Sequence, residues 1–179
     1  MAEFPYKNRL LSDRLDRTFF GRDALIIAPE ILGKVLVRVL PDGTRLLLPV
    51  TEVEVYRGLD DRASHASRGM TERNRVMFGQ GGIIYMYLIY GMHWMLNIVT
   101  GDEGGPEALL IRGVGETSGP GRVTRLLALG KDFYGEDLTS STRIWLENRP
   151  AVENFTTGPR VGINYSGEPW ISMPWRFRC

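Results

Sequence analysis

Val50-Thr51-Glu52-Val53-Glu54-Val55-Tyr56 is the stretch that decides the reading of this chain. Two valines alternate with two glutamates and a tyrosine. A period of two predicts a strand with Val53 and Val55 on one face and Glu52, Glu54 and Tyr56 on the other. Upstream, residues 34–40 alternate in the same way and are rich in Val and Leu. Pro41-Asp42-Gly43 then reads as a tight turn into a second strand over 44–48, giving a hairpin. Before it, Asp23 is placed to cap a helix running to Leu32, divided or kinked by Pro29 and stopped at Gly33. Downstream, residues 57–82 are polar and rich in Arg, Asp, Ser and Gly, the composition of an ordered functional loop with a short helix.

Strands follow over 84–90 and 94–99, joined near Tyr90-Gly91-Met92-His93, and again over 108–114. Gly119-Pro120-Gly121 leads into a helix over 122–129 stopped at Gly130. A further helix is expected over 140–147. The tail, 158–179, is rich in Gly, Pro and aromatics and is expected to wrap back onto the sheet. No linker, repeat or low-complexity segment interrupts the chain. The sum is one α+β domain over residues 1–179, a curved, largely antiparallel sheet with peripheral helices.

Composition narrows the function classes. A chain of 179 residues with 43% apolar residues builds a core without staples. Residues 1–10 lack the apolar core of an export signal. The most apolar run, 83–99, is short, broken by Gly91 and contains His93 and Asn97, which argues against a membrane span. The single cysteine, Cys179, forms no internal disulfide and fits a reducing compartment, so a cytoplasmic location is expected. Two histidines and one cysteine make a zinc site improbable, and Asp60-Asp61 reads as loop capping rather than cation binding. No cofactor is expected. Only three of the 22 basic residues are lysine. Arginine's planar fork suits phosphate, and Arg57, Arg62, Arg68, Arg73 and Arg75 fall close together, opposed there by Asp60, Asp61 and Glu72.

The chemistry concentrates between Glu52 and Asn97. A carboxylate partly buried beside another has its pKa raised and accepts a proton from water more readily. Such a group can activate water for attack at a sugar C1′ and stabilise the oxocarbenium character that develops there. On periodicity alone Glu52 and Glu54 are equal candidates. Tyr85 and Tyr87 share a strand face, while Tyr90 has the opposite parity unless the chain turns there. At a hairpin tip Tyr90 would project from the surface, where it can wedge into a duplex. Tyr56, His65 and Tyr87 can supply stacking walls for an extruded base. Asn97 on an apolar strand either pins backbone or lines a polar spot of the pocket. Arg112, after Leu109-Leu110-Ile111, can orient Glu54 or its water. No lysine lies nearby, which disfavours an amine nucleophile and favours direct hydrolysis. These residues fit a glycosidic hydrolase on DNA, a hydrolase of free nucleosides, or a damage-specific binder in which Glu54 is only structural.

Several motifs together resemble one family. Glu52-Val53-Glu54-Val55-Tyr56, Ser64-His65-Ala66-Ser67, Thr71-Glu72-Arg73-Asn74-Arg75-Val76-Met77-Phe78 and Tyr85-Met86-Tyr87-Leu88-Ile89-Tyr90-Gly91-Met92-His93 resemble the alkyladenine (3-methyladenine, methylpurine) DNA glycosylases. Gly119-Pro120-Gly121, Gly158-Pro159-Arg160-Val161-Gly162 and Pro174-Trp175-Arg176-Phe177 extend the likeness over essentially the whole chain. The resemblance implies a monofunctional, metal-free glycosylase acting as a monomer on double-stranded DNA that carries a damaged purine, with no membrane or obligatory protein partner and a nucleoid-associated cytoplasmic location. It implies Glu54 as general base and Arg112 as the arginine holding the attacking water, leaving Glu52 as scaffold. Tyr56, His65 and Tyr87 match the rings around the flipped base, Tyr85 a support of the histidine, and Asn97 the discriminator against the guanine 2-amino group. Tyr90 matches the intercalating residue, with Met92, Arg73 and Arg75 as further DNA contacts. The implied substrates are 3-methyladenine and 7-methylguanine, and in many members hypoxanthine and ethenoadenine. The family strand usually reads Glu-Thr-Glu-Ala-Tyr. Gly81-Gly82 stands where Pro-Gly is common, which predicts a looser lead-in, and Trp94 replaces a smaller residue. Local repacking and an altered substrate range are the expected consequences.

Overall fold

One long strand organises the domain. The computed structural model describes residues 13–179, so the expectation drawn from residues 1–10 lies outside them. The strands are β1 (Val35–Val39), β2 (Arg45–Arg57), β3 (Ile84–Ile89), β4 (His93–Val99), β5 (Glu107–Val114), β6 (Thr117–Ser118), β7 (Ile144–Glu147), β8 (Thr156–Gly158) and β9 (Arg176–Arg178). Helices α1 (Arg17–Phe20), α2 (Ala24–Ile31) and α3 (Pro120–Leu126) lie at the periphery. The main sheet runs β3-β4-β5-β2-β1-β7, with β6 on β5 and the β8–β9 pair on β2. Its ladders are antiparallel and the sheet is curved, as the alternating pattern predicts.

The two strands expected over 44–48 and 50–56 are one, β2. Pro49 does not break it because it sits where pairing passes from β1 to β5, so its missing N–H falls at the end of a ladder. Val53 and Val55 are fully buried in the main core with Ile27, Ile31, Ile98 and Leu109. Glu52, Glu54 and Tyr56 take the other face by the period of two. That face is not left to solvent, because the loop after β2 and the C-terminal tail close over it. A second, smaller core of Ala66, Met77, Tyr85, Val99 and Ala108 forms beneath the loop.

Asp23 caps α2 by accepting from the Leu25 N–H, and the helix carries Pro29 within it. The α3 helix begins and ends earlier than the 122–129 expected. Ala128 takes a left-handed φ of 49°, and Arg38, buried beneath, donates from Nε to the Leu127 carbonyl at 2.8 Å. That side chain supplies the C-terminal partner which sequence assigned to Gly130.

The helix expected over 140–147 is wrong. Residues 144–147 form the edge strand β7, paired with β1 from Val35↔Glu147 to Arg38↔Ile144. The Ser141 hydroxyl oxygen accepts from the backbone N–H of Arg143 at 3.0 Å and of Ile144 at 3.1 Å. This local turn replaces helical bonding, and the β-branched and aromatic residues after it pack on the open flank of β1. Gly81 also differs from expectation. A Cβ there would lie 2.3 Å from the Phe20 carbonyl oxygen, so α1 and the lead-in to β3 touch closely rather than loosely. Trp94 packs against the main core, and its carbonyl accepts from Thr124 Oγ1 at 2.8 Å. No helix among the described residues is long and apolar enough to cross a membrane.

Candidate active site

Glu54 is the most enclosed charged group of the β2 site face, with no solvent-exposed surface. Burial raises its pKa, opposed by the Arg112 cation, the Val161 N–H, the Tyr56 hydroxyl and Arg160. The Val161 N–H donates to Oε1 at 2.7 Å and the Tyr56 hydroxyl to Oε2 at 3.0 Å. Of the two causes expected, burial and a neighbouring carboxylate, desolvation leads.

Arg112 reaches the carboxylates through an irregularity of the β2–β5 ladder. Glu54 faces Leu110 while Glu52 faces Gly113, so β5 carries one more residue than β2 over this interval. Arg112 is that extra residue, and a bulge re-aims its side chain between the two acids. Its Nε donates to Glu52 Oε1 at 3.0 Å and lies 3.4 Å from Glu54 Oε1. Sequence therefore located Arg112 correctly beside Glu54 but missed that Glu52 is its nearer partner.

Beyond Glu54 the aromatic residues converge. A cavity of about 40 Å³ is lined by Tyr56, His65, Tyr85, Tyr87, Asn97 and Tyr165, with Ala63 and Met77 completing it. The His65 and Tyr87 rings meet edge to face at 4.5 Å. His65 Nδ1 shares a hydrogen bond of 2.8 Å with the Tyr85 hydroxyl, the support expected of Tyr85. Desolvation of the ring, with Arg73 close by, lowers the His65 pKa to about 4, so the imidazole is neutral at neutral pH. Burial raises the phenols, Tyr85 to about 12, and lifts Tyr56 and Tyr87 above the usual phenol range as well. None of the three is a proton donor of ordinary strength.

Asn97 donates from Nδ2 to the carbonyls of Tyr85 at 3.2 Å and Met95 at 3.4 Å, so it pins the strand and lines the cavity at once. The cavity has room for a few waters but not for a purine, so its walls must part for a base to enter. His65 and Tyr165 are the exposed members of the lining. Both also border an open groove of about 980 Å³ that includes Arg62, Arg68, Ser64 and Trp170.

The turn between β3 and β4 carries the exposed candidates. Tyr90 has φ 52° and Gly91 φ 68°, the sign pattern of a type I′ hairpin turn, and the Met92 N–H donates to the Ile89 carbonyl. Tyr90 and Met92 are left 85% and 69% exposed, so Tyr90 projects as its position before Gly91 predicts. The arginines do not form one free cationic face. Arg57 is engaged with Asp23 and Glu107, Arg73 lies over the Tyr87 ring at 5.5 Å, and Arg75 is exposed beside Glu72.

The support from the tail was not legible. Asp61, read as a loop cap, accepts from the Ala63 N–H at 3.0 Å and also grips Arg160 at 2.6 and 2.8 Å with both side chains fully buried. The Arg160 guanidinium lies between the rings of Tyr56 and Trp175, at 4.8 and 5.0 Å. It thereby fixes the segment whose next residue, Val161, holds Glu54. The Gly158-Pro159-Arg160-Val161-Gly162 motif marked this segment without disclosing its role. Tyr165, whose hydroxyl donates to the Ala63 carbonyl at 3.2 Å, carried no sequence signal.

Among the described residues, no three His, Cys, Asp or Glu side chains gather as metal ligands. The chain matches the sequence model of the family described as Methylpurine-DNA glycosylase, over residues 18–118 and 114–179. A protein of Methanocella arvoryzae, named as a candidate 3-methyladenine DNA glycosylase, is 43% identical over 184 aligned residues, covering 91% of this chain and 90% of its own length. Proteins with the same name from Anaeromyxobacter dehalogenans and Borreliella burgdorferi are 44% and 37% identical. They cover 92% and 91% of this chain, and 82% and 94% of their own lengths.

Proposed function

The chain belongs to the methylpurine-DNA glycosylase family, hydrolases that release alkylated purines from DNA, and on that premise we propose how its own residues perform the reaction. The substrate purines are 3-methyladenine and 7-methylguanine, with hypoxanthine and ethenoadenine as slower ones. The enzyme acts as a monomer on duplex DNA in the cytoplasm. Tyr90, at the tip of the β3–β4 hairpin, enters the stack as the damaged nucleotide leaves it, flanked by Met92 and with Arg73 and Arg75 toward the phosphates. Flipping is cheapest at damaged or mismatched sites, so selection begins before the pocket is reached.

The extruded base lies among Tyr56, His65 and Tyr87 once those walls part. Asn97 and the His65 backbone face the purine edge. Glu54, held by Val161 and Tyr56, takes a proton from the water that Arg112 helps to place. The water oxygen bonds to C1′ as the C1′–N bond breaks. Its electron pair leaves with the base and the proton goes to the Glu54 carboxylate. Alkylation at N3 or N7 makes the base cationic and a good leaving group. Hypoxanthine and ethenoadenine are neutral leaving groups, so their release needs a proton from water at the departing nitrogen or strong positioning of the base, because a neutral His65 is not an acid for it.

The observation that carries this reading is a fully buried, pKa-raised carboxylate bonded to Tyr56, a wall of the aromatic cavity, with an arginine and two hydrogen-bond donors on it. The test is base release from a duplex carrying 3-methyladenine or hypoxanthine, under single turnover. Wild type releases the base, and Glu54→Gln is slower by at least about a hundredfold. Wild type that binds the duplex yet releases neither base, or Glu54→Gln at full rate, overturns the assignment.

A further inference from the structure

Glu52 is nearly fully buried, at 4% exposure, one strand repeat from Glu54. A charge so placed is retained only with partners. It has three. Arg112 Nε donates to Oε1 at 3.0 Å, the Ser118 hydroxyl to Oε2 at 3.4 Å, and Arg176 Nη1 lies 3.7 Å from Oε1. They come from β5, β6 and β9, so strands on both flanks of β2 converge on this one side chain.

The backbone is shaped for it as well. Gly113 stands opposite Glu52 in the ladder, and a Cβ there would lie 2.6 Å from Thr51 Oγ1 and 3.0 Å from Glu52 Cβ. Only the absence of a side chain lets β5 approach this closely. The same register puts Arg112 in the bulge. Arg112 is thus shared between two acids and sits closer to the one that is not the base.

We propose that Glu52 is a positioning residue for the hydrolytic step: it grips Arg112 by Nε, orients the rest of the guanidinium toward Glu54 and the water, and draws part of that cation's field away from Glu54. The inference rests on the assignment of Glu54 as general base and deepens it.

The charge has a definite sign. The groups facing Glu54 are Glu52 and Tyr56 on its own strand, Arg112 on β5, Arg176 opposite it on β9, and Val161 with Arg160 in the tail. Tyr87 and Tyr165 lie across the cavity. Removing the Glu52 charge leaves Arg112 whole to Glu54 and removes a like charge from its neighbourhood. Both changes stabilise the carboxylate and make it a weaker base. A base must be ionised to act, so the acid limb of the rate profile marks its titration. That limb moves to lower pH in Glu52→Gln.

The experiment measures single-turnover base release against pH for wild type, Glu52→Gln, Glu52→Asp and Glu54→Gln. Affinity for a duplex with a tetrahydrofuran abasic analogue and the thermal midpoint are measured alongside. Glu52→Gln should lower the plateau rate roughly ten- to a hundredfold and shift the acid limb down by about one pH unit, with duplex affinity unchanged. Glu52→Asp keeps the charge but alters the reach, so it should lower the rate with the limb in place. That contrast separates a charge role from a packing role, since loosened packing would move both variants alike. A limb that stays put in Glu52→Gln, or moves equally in Glu52→Asp, overturns the proposal. If Glu52→Gln does not fold, Glu52→Asp at the wild-type rate overturns it alone. Glu54→Gln at full rate sinks the underlying base assignment instead, so the two failures are distinct.

Discussion

Replacing Asp61 tests whether the site is built from the tail inward. The Asp61 carboxylate and the Arg160 guanidinium have no exposed side-chain surface and meet through two bonds, at 2.6 and 2.8 Å. Among the described residues, Asp61→Leu leaves the cation with the Val55 carbonyl at 2.9 Å and the Trp170 carbonyl at 3.4 Å as its hydrogen-bond partners, beside the Tyr56 and Trp175 rings. An uncompensated charge in such a place costs about 3–5 kcal/mol. The backbone N–H of Ala63, which donates to Asp61 at 3.0 Å, loses its acceptor too, at about 1 kcal/mol or more. With a urea slope of about 2–3 kcal/mol per molar for a chain of this size, the unfolding midpoint should fall by about 1–3 M. Tryptophan fluorescence follows the transition, since Trp170 and Trp175 flank the pair. Asp61→Leu combined with Arg160→Met removes both charges and should be more stable than Asp61→Leu alone by at least about 1 kcal/mol. A loss below about 1 kcal/mol for Asp61→Leu, or a double variant as unstable as the two singles summed, would refute the buried pair as the clamp on Val161 and Glu54.

Stability should fall as pH drops from the ordinary histidine range toward 4, because the folded His65 titrates near 4 and the unfolded one near 6.5. Over that window the unfolded chain binds the extra proton, so the term is fully present above about 6.5 and lost below about 4. Urea midpoints of wild type minus His65→Gln against pH isolate it, and a flat difference refutes it. Tyr90→Ser removes a side chain that is 85% exposed, so stability should change by no more than about 0.5 kcal/mol. A fluorescent base opposite the site should report a weaker flipped state, and an unchanged flipping equilibrium removes the wedge role. Gly81→Ala should destabilise by about 1–3 kcal/mol, read as a lower thermal midpoint, because its Cβ meets the Phe20 backbone at 2.3 Å. A midpoint equal to wild type would mean that α1 yields freely.

The alternation around Glu54 was legible because strand geometry gives each residue a face without reference to anything distant. The same rule put Val53 and Val55 in the core and Tyr85 beside Tyr87. Tyr90 was legible for a local reason too, as a residue before Gly91 in a hairpin turn. Local signals failed where a distant partner decides the outcome. Residues 140–147 carry helical formers, yet the open flank of β1 and the Ser141 hydroxyl make 144–147 a strand. Gly81 read as a flexible substitute for proline, while the Phe20 carbonyl 61 positions earlier makes it a close contact. Asp61 looked like a loop cap because its partner, Arg160, lies 99 residues away.

The residues that tune Glu54 share that non-local character, and this bears on how the activity is held. Glu54 and Tyr56 come from one strand, but Arg112 arrives through a bulge, Val161 through a tail clamped by Asp61, and Glu52 through contacts to three other strands. Each brings a charge or a dipole to a carboxylate that burial alone would hold protonated and so unable to take the proton of water. The base is therefore set by a balance: desolvation raises its pKa, and Arg112, Val161 and Tyr56 lower it. Removing one lowering group should raise the acid limb of the rate profile, whereas removing Glu52 should lower it. Tyr56→Phe, which deletes the 3.0 Å bond to Oε2 but keeps the stacking ring, is the cleanest instance of the first kind. Its acid limb should move to higher pH while Glu52→Gln moves to lower pH. Parallel movement of the two would show that site hydration, and not the individual partners, governs Glu54.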